Sequence, residues 1–372
     1  MKILIFVKSL DGGTGTFVEG ILRLNKYKNM VPIGVLALEE PTYRKIPYDA
    51  QFIHSKNYYS QNYGFTLPSI VSFIKECIVV KNTIGEINPQ IILAVDVQCN
   101  ILALLYQLLF YPHLKVIAST HIQLSATLQH KASILLNTVL RKLITFLYNR
   151  ADAIVVVSNG VKTDLISHFR IKRKITVIHN GVLLMKVRAI HRENIKNRIL
   201  SIGRLVPQKD FITLIYAFAE LIEDIPDAQL TIVGDGIQKK ILISLVKYLK
   251  LGKKVVFKGW KHINSKYFNN TDIFILSSFR EGFPYVLLEA MNAGVPIIST
   301  DSPFGPKELL ENDKYGIVIP MKDITKMSSA MKFLFNNKKA YEYYAKKATL
   351  RARTFALRFM LNKYKKLITE ID

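Results

Sequence analysis

The sequence predicts an α/β protein of two doubly wound domains that face each other across a cleft. Short apolar runs alternate with helical patterns along the chain, which is typical of parallel sheets covered by helices. The alternation restarts after a basic, non-periodic stretch over residues 183–197, which we interpret as an interdomain linker. A length of 372 residues, 49% of them hydrophobic, is sufficient for two cores. We therefore predict domains over residues 1–182 and 198–350 and a last helical segment over residues 351–372.

The first domain opens with an apolar run at residues 2–7, which predicts a buried strand. A turn containing Gly12 and Gly13 follows, and a helical pattern runs from Phe17 to Leu24. Such a turn can present backbone amides to an anion, although its glycines lack the G-x-G-x-x-G spacing and could serve packing alone. Further strands are predicted at residues 31–38, 51–53, 89–95, 114–119, 151–158 and 175–178, and helices at residues 66–84, 101–110 and 129–148.

His121 follows the predicted strand at residues 114–119. In an open parallel sheet, the loops at the carboxyl ends of the strands line the ligand crevice, so this position favours chemistry. The alternative is an ordinary loop histidine. The helix at residues 129–148 also has two interpretations: an amphipathic core helix, which we favour, and a helix that lies on anionic lipid.

The second domain begins with a strand at residues 198–202, which leads through Gly203 and Arg204 to Lys209 and a helix at residues 211–223. Two cations beside a helix N-terminus suit a diphosphate, because Arg offers a fork of donors and Lys a point charge. The alternative for each is a solvated surface cation. Further strands are predicted at residues 229–233, 255–257, 272–277 and 296–300, and helices at residues 237–249 and 330–371.

Two carboxylates, Glu281 and Glu289, occur in a predicted strand–loop–helix stretch that spans residues 280–291. Pro284 suits the first turn of the helix, and Gly294 suits the position after its end. Taken singly, each acid could be a helix residue that is solvated or favours the helix dipole. The Glu-x7-Glu spacing together with its neighbours favours a functional interpretation.

The stretch Glu281-Gly-Phe-Pro through Glu289 resembles the signature of the retaining GT-B glycosyltransferases of family four. The run Gly203-Arg204-Leu205-x-x-Gln208-Lys209 is similar to the donor-phosphate motif of that family. The resemblance implies a GT-B fold and transfer of a hexose or an N-acetylhexosamine from a UDP-linked donor, with retention of the anomeric configuration.

The resemblance also implies individual roles. Glu281 would meet the hydroxyls of the donor sugar, Glu289 would hold the nucleotide ribose, and Arg204 with Lys209 would stabilise the departing diphosphate. His121 would lie near the reactive carbon of the sugar. The other implied substrate-binding residues are in the first glycine turn, the loop after Glu281, the backbone near the base and a helix start: Gly12, Gly13, Gly282, Phe283, Pro284, Gly259, Trp260 and Glu308.

The resemblance covers most of the second half of the chain and, more loosely, the first half. It implies that the helix over residues 351–372 packs back on the first domain. Leu183 departs from the family pattern, in which Asp follows Asn180-Gly181-Val182. No Asp-x-Asp occurs in the chain, which agrees with a fold whose members generally need no divalent metal. We therefore expect no metal and no cofactor besides the nucleotide sugar.

The formal net charge of +24 implies an anionic partner, such as nucleic acid, an acidic membrane surface or a phosphorylated small molecule. Together with the resemblance, it favours a glycan or polyprenyl-linked acceptor in cell-surface polysaccharide or lipid-linked oligosaccharide synthesis. Two alternatives remain: a GT-B nucleotide-sugar 2-epimerase and a non-enzymatic nucleic-acid-binding protein. The second lacks a visible recognition helix, zinc site or RNA-binding motif, so we expect no nucleic acid partner.

Cellular location is predicted from what the sequence contains. Cys77 and Cys99 do not suggest a disulfide framework, which fits a reducing compartment. The N-terminal apolar run has no cleavage-site pattern, and the apolar segment at residues 101–111 is too short to span a bilayer. We expect a cytoplasmic protein that is peripheral on the inner face of the cell membrane.

Overall fold

The computed structural model describes residues 2–28, 33–39, 52–54, 77–78, 80–129, 134–184, 196–263 and 265–371. The chain divides into two compact units: the first is Met1–His179 with Met360–Asp372, and the second is Asn180–Phe359. Each unit holds one parallel sheet whose strands alternate with helices, so the predicted α/β class is confirmed. Most of the predicted linker, residues 185–195, lies outside the described residues.

The first unit contains a seven-stranded parallel sheet. Its strands are β1 (Ile3–Val7), β2 (Ile33–Ala37), β3 (Phe52–His54), β4 (Ile91–Val95), β5 (Lys115–Thr120), β6 (Ala153–Val156) and β7 (Ile175–Val177). Their order in the sheet is β3-β2-β1-β4-β5-β6-β7. Every residue of β1 and β4 is buried, which explains why these strands are continuous apolar runs instead of alternating ones.

The helices of the first unit are α1 (Gly12–Lys28), α2 (residues 80–87), α3 (Val97–Leu109), α4 (Leu124–Gln129), α5 (Ile134–Tyr148) and α6 (Asn159–Phe169). Helix α1 begins at Gly12 and not at the predicted Phe17. The glycines assigned to a turn lie in the first turn of this helix, and Gly12, where the chain enters it, has a φ of +67°, which glycine adopts without steric cost. Helix α6 is capped by Ser158, because the Ser158 hydroxyl accepts from the Val161 amide at 3.2 Å.

The second unit contains a six-stranded parallel sheet. Its strands are β8 (Arg198–Ile202), β9 (Gln229–Val233), β10 (Val255–Phe257), β11 (Ile273–Leu276), β12 (Ile297–Thr300) and β13 (Ile317–Ile319), in the order β10-β9-β8-β11-β12-β13. One core cluster, which includes Phe211, Phe218 and Met331, packs against the strands. These three residues lie in segments that the apolar patterns predict as helices, whereas Ile319 of the same cluster lies in β13, which was not predicted.

The helices of the second unit are α7 (Phe211–Asp224), α8 (Lys239–Tyr248), α9 (Ser265–Asn269), α10 (Tyr285–Asn292), α11 (Gly305–Leu310), α12 (Ile324–Asn336) and α13 (Lys338–Thr354). Helix α14 (Leu357–Ile371) begins in the second unit and continues, from Met360, in the first. Residues 330–371, which we predicted to be helical, thus belong to three successive helices. The break before α13 has a local cause, because the Asn337 side chain accepts from the Ala340 amide at 3.0 Å and caps a new helix.

Both sheets have a switch point, where the chain leaves the two central strands in opposite directions. The central pairs are β1 with β4 in the first unit and β8 with β11 in the second. In open parallel sheets the ligand crevice lies outside the carboxyl ends of such a pair. The segments after β8 and β11, residues 203–210 and 277–284, are therefore the candidate site of the second unit.

Candidate functional site

The segments that follow β8 and β11 are joined to each other by three hydrogen bonds, each accepted by a main-chain carbonyl. The Gln208 side-chain amide donates to the Arg280 carbonyl at 2.7 Å, and the Phe279 amide donates to the Gln208 carbonyl at 2.9 Å. The Ser277 hydroxyl donates to the Lys209 carbonyl at 2.7 Å. Because three bonds hold the two segments together, the functional groups on one are fixed relative to those on the other.

Lys209 and Glu281 form an ion pair at the switch point, with Lys209 Nζ 2.5 Å from Glu281 Oε1. The two side chains are 15% and 10% exposed, so solvent screens their interaction less than that of a surface pair. The absence of a side chain at Gly203 leaves room for the Lys209 side chain, because a Cβ at this glycine would lie 3.3 Å from Lys209 Cδ. The geometry places a fixed ammonium and a fixed carboxylate where a ligand of this fold class binds.

Arg204 is exposed and directly follows Gly203, whose Cβ position lies against the Lys209 side chain. Among the described residues, no ion pair or side-chain hydrogen bond involves its guanidinium. An exposed guanidinium beside a half-buried ammonium can bind a diphosphate, since the guanidinium supplies paired donors and the ammonium supplies charge.

The turn after β9 holds the Gly203–Leu205 segment from its other side. Gly234 has a φ of +149°, and a Cβ there would lie 1.8 Å from the Gly203 carbonyl oxygen. Gly236 makes a similar approach, with a Cβ position 2.6 Å from the Leu205 carbonyl oxygen. The Leu205 amide donates to the Asp235 carbonyl at 2.8 Å. Only glycine permits these approaches, and this role of Gly234 and Gly236 was missed by sequence analysis.

Gly259 and Trp260 follow β10 and are both partly exposed. The Gly259 carbonyl accepts from the Gly234 amide at 2.9 Å, which joins this predicted base-binding segment to the turn after β9. The structure thus brings Gly259, through Gly234, to the same edge of the sheet as Gly203.

The loop after Glu281 is positioned by backbone contacts and by a buried aromatic side chain. Glu281 and Phe304 form an isolated parallel β-bridge through their backbones. A Cβ at Gly305 would lie 2.3 Å from the Gly282 carbonyl oxygen. Phe283 is 3% exposed and meets the Phe355 ring edge-on, with centroids 5.2 Å apart. The Phe283 side chain therefore anchors the loop by packing against Phe355. Pro284 directly precedes α10.

The residues that flank this contact also show local constraint. Phe304 has a φ of +80° and a ψ of −110°, a backbone conformation that costs a bulky residue energy. The Asn180 side-chain amide donates to the Phe283 carbonyl at 2.7 Å. Asn180 is thus a support of the loop that sequence analysis placed only in the junction motif.

The other two predicted carboxylates lie on helices and are partly exposed. Glu289 is in α10, and Glu308 is in the first turn of α11. Helix α11 starts at Gly305, and Pro306 lies in its first turn, where proline is favoured.

In the first unit, the predicted residues lie after β1 and β5. Gly12 and Gly13 are exposed in the first turn of α1. His121 Nε2 lies 3.0 Å from the Ser119 hydroxyl, and its ring meets the Phe17 ring edge-on at 4.8 Å between centroids. Desolvation by burial lowers the pKa of His121 to about 4, so this histidine is neutral at pH 7.

Within the part of the chain that the structure describes, no group of three or more His, Cys, Asp or Glu side chains is arranged to hold a metal ion. Over the same residues, none of the helices has the length and apolar character needed to cross a membrane. Arg204, Lys209 and Glu281, the charged residues predicted for the donor site, all lie in the segments that follow β8 and β11.

Two family models match the chain, one in each half. The model described as Glycosyltransferase Family 4 matches residues 41–184, and the model described as Glycosyl transferases group 1 matches residues 186–351. The two matches adjoin at the predicted linker and together cover most of the sequence.

Two curated relatives illustrate the sequence similarity. The N-acetylgalactosamine-N,N'-diacetylbacillosaminyl-diphospho-undecaprenol 4-alpha-N-acetylgalactosaminyltransferase of Campylobacter jejuni is 32% identical over 224 residues, 59% of this chain and 60% of the relative. The UDP-Gal:alpha-D-GlcNAc-diphosphoundecaprenol alpha-1,3-galactosyltransferase of Escherichia coli is 34% identical over 176 residues, 42% and 44% of the two chains. The matched segments therefore span less than two thirds of each relative.

A solved structure extends the likeness to the whole fold. The structural alignment with Anabaena HepE in complex with UDP covers 100% of both chains, with a TM-score of 0.76 and 18% sequence identity. At this identity the likeness concerns the fold alone.

Proposed function

Because the chain belongs to glycosyltransferase family 4, we propose that it transfers a hexose or an N-acetylhexosamine from a nucleotide-diphosphate sugar to a glycan or lipid-linked acceptor. Its fold is the two-domain GT-B fold of that family. The observation that carries the proposal is the Lys209–Glu281 ion pair at the switch point of the second sheet, beside the exposed Arg204.

The ion pair gives each partner a role in the proposed reaction. Glu281 Oε1 is bound by Lys209, and no group of the described residues donates to Oε2. A carboxylate oxygen in this state can accept from a sugar hydroxyl. Glu281 in turn fixes the Lys209 ammonium, so that the ammonium need not reorganise as charge develops on the leaving group.

In the proposed step, the bond between the anomeric carbon and the diphosphate oxygen breaks, and the acceptor oxygen bonds to that carbon on the same face. The acceptor hydroxyl gives its proton to an oxygen of the departing diphosphate. Arg204 and Lys209 stabilise the negative charge more strongly in the transition state than in the bound donor, which is the requirement for catalysis. No metal is needed for this step, because the two side chains supply the positive charge.

The proposed donor is a UDP-sugar. Support comes from the E. coli relative, whose name specifies UDP-Gal, and from HepE, whose structure contains UDP. Glu289 would hold the ribose, and the backbone at Gly259 and Trp260 would approach the base. In the first unit, Gly12 and Gly13 would close over the donor phosphates, and His121 would face the sugar.

The proposed acceptor carries a polyprenyl diphosphate. Both curated relatives have a diphospho-undecaprenol in their names, and the formal net charge of +24 favours an anionic surface. We propose that the protein works from the cytoplasmic face of the cell membrane as a peripheral enzyme. The 2-epimerase and the nucleic-acid-binding alternatives have no similar support, since the named relatives are transferases.

Thermal stability in the presence of nucleotides tests the donor site. UDP and one UDP-sugar should raise the melting temperature without added metal, because a ligand that binds only the folded state stabilises it by mass action. Glu289→Ala should abolish this response. Glu223→Ala, which removes an exposed glutamate of α7, should keep it. A protein whose melting temperature responds to no nucleotide would contradict the proposal.

Transfer rates test the chemistry. Lys209→Met should lower kcat by about 100-fold, the effect of removing one preorganised stabilising group from a transition state. EDTA should leave the wild-type rate unchanged. The matched control is Lys326→Met, since Lys326 is an exposed lysine 3.9 Å from Asp323 at the start of α12. Equal rates for wild type and Lys209→Met would exclude the proposed role of this lysine.

A further inference from the structure

Ser119, at the carboxyl end of β5, is the centre of a buried polar cluster. Its hydroxyl lies 3.0 Å from His121 Nε2 and 3.3 Å from the Tyr364 hydroxyl. The Phe17 ring contacts both of these side chains, with its centroid 4.8 Å from that of His121 and 5.5 Å from that of Tyr364. The Ser119 hydroxyl and the Phe17 ring thus contact His121, and Tyr364 contacts both Ser119 and Phe17.

Tyr364 comes from α14, and its only hydrogen-bond partner among the described residues is Ser119. The side chain is buried, with 2% of the residue exposed. Burial raises the pKa of Tyr364 above its ordinary value, so the hydroxyl keeps its proton at all physiological pH values. A buried hydroxyl proton without an acceptor is destabilising, and Ser119 is the acceptor within reach among the described residues.

The protons of the cluster can be counted from this requirement. If the Tyr364 hydroxyl donates to Ser119 Oγ, the Ser119 proton is free to donate to His121 Nε2. The reverse direction, from Nε2–H through Ser119 to Tyr364, would leave the Tyr364 proton without an acceptor. A neutral imidazole carries one proton, so a chain that starts at Tyr364 leaves that proton on Nδ1.

We infer that Tyr364 is a positioning residue which, through Ser119, holds His121 as its Nδ1–H tautomer and makes Nδ1 a hydrogen-bond donor to substrate. No group of the described residues hydrogen-bonds to Nδ1, and His121 is partly exposed. The donor therefore suits a substrate oxygen, such as a sugar hydroxyl or a phosphate oxygen. The contact with substrate rests on the proposed function, whereas the tautomer rests on the cluster alone.

The tautomer is tested by ¹⁵N NMR of protein labelled at histidine, with the His121 signals assigned by their loss in His121→Gln. In the wild type, Nε2 should give the signal of an unprotonated nitrogen and Nδ1 that of a protonated one. In Tyr364→Phe, Ser119 Oγ is free to accept, so the Nε2 signal should move towards the protonated position. Nε2 protonated in the wild type, or signals unchanged in Tyr364→Phe, would overturn the inference.

Kinetics supply the second readout. Tyr364→Phe should lower kcat by about tenfold, which corresponds to about 1.4 kcal/mol, with KM for the donor within about twofold of the wild type. The matched control is Tyr341→Phe, because Tyr341 is also fully buried but its hydroxyl has no partner among the described residues. This control should leave both the NMR signals and kcat unchanged.

Two further variants separate the possible failures. Ser119→Ala breaks the chain at its centre and should change the His121 signals as Tyr364→Phe does, which checks the inference if one variant folds poorly. If the signals behave as expected but His121→Gln transfers sugar at the wild-type rate, the tautomer stands and the proposed substrate contact fails. An unchanged kcat in Tyr364→Phe with an altered tautomer would overturn the positioning role.

Discussion

Gly203 and Lys209 show how one missing side chain organises the proposed donor site. The Lys209 stem occupies the space above Gly203, where a Cβ would lie 3.3–3.5 Å from three of its carbons. The ammonium at the end of this stem then reaches Glu281. The position of the cation therefore depends on a residue that bears no functional group.

Gly203→Ala should impair catalysis with little loss of stability. The added methyl group displaces a flexible side chain, so the melting temperature should change little, but the Lys209 ammonium should leave its position beside Glu281. We expect kcat to fall by about tenfold or more, since misplacing a charged group by an ångström has effects of this size. Transfer assays and thermal scans of the variant measure the two effects.

The control is Gly252→Ala. A Cβ at Gly252 meets no atom within 4 Å, so this variant should keep both its rate and its stability. A Gly203→Ala enzyme as active as Gly252→Ala would contradict the role assigned to the space above Gly203.

His121 predicts a pH dependence of stability whose sign follows from its lowered pKa. Desolvation lowers the pKa of His121 in the folded protein to about 4, against about 6.5 for an ordinary histidine. Between these values the unfolded chain binds a proton that the folded chain does not, so stability is complete above 6.5 and is lost as the pH falls towards 4. The loss amounts to about 3 kcal/mol at most.

Thermal scans between about pH 4.5 and 7.5 check this expectation. The melting temperature of the wild type should fall more steeply with acidification than that of His121→Gln, which lacks the titrating group. His113→Gln, at an exposed histidine, should follow the wild type. Parallel curves of melting temperature against pH for wild type and His121→Gln would show that His121 does not control stability in acid.

At the scale of elements, helix α13 holds the short helix α11 against the Glu281 loop. The Arg351 guanidinium donates to the carbonyls of Leu309 at 3.0 Å and Glu308 at 2.9 Å, near the end of α11. It also pairs with Glu311 at 2.8 Å. The start of α11 in turn touches the Gly282 carbonyl through Gly305, so a shift of α11 displaces the loop.

Arg351→Met should therefore lower both stability and donor binding. The substitution removes three charge-assisted contacts of a half-buried side chain, and we expect a loss of about 1–3 kcal/mol with a raised KM for the donor. Arg353→Met is the control, because Arg353 is exposed on the same helix and its guanidinium forms no hydrogen bond or ion pair with the described residues. Thermal scans and steady-state kinetics of both variants measure these effects. Equal stabilities of Arg351→Met and Arg353→Met would contradict the role of Arg351 in holding α11.

At the scale of the whole molecule, charge is the dominant property. The 52 Lys and Arg residues exceed the 28 Asp and Glu residues, and this excess attracts the protein to anionic surfaces by a long-range field. Such a field fits an enzyme whose proposed acceptor is held in a membrane with anionic lipids.

Vesicle sedimentation tests this property. The protein should bind phosphatidylglycerol vesicles at low salt and leave them in about 1 M NaCl, where the Debye length shrinks to about 3 Å. Phosphatidylcholine vesicles, which carry no net charge, should bind little protein at either salt concentration. Strong binding to the neutral vesicles would mean that apolar contacts, and not charge, mediate the attachment.

Sequence patterns predicted most strands and the α/β class, because burial on both faces of a parallel sheet requires unbroken apolar runs such as β1 and β4. They were less accurate at helix ends. The breaks around α13 and the start of α11 depend on single caps and on proline, whose effects compete with the surrounding periodicity. The candidate residues at the second switch point could also be predicted from the sequence. Gly203-Arg204 and Lys209 belong to one short motif, and Glu281 belongs to another.

The sequence by itself thus determined the fold class and the chemical groups of the donor site. Only the tertiary structure decided which groups meet. Lys209 reaches Glu281 across 72 positions, and Ser119 reaches Tyr364 across 245 positions. Gly234 was not recognisable as the partner of Gly203, because a close approach of two backbones leaves no pattern in either segment. The physical reason is common to all three: local periodicity records burial, whereas contacts between distant segments depend on how strands are ordered in the sheet.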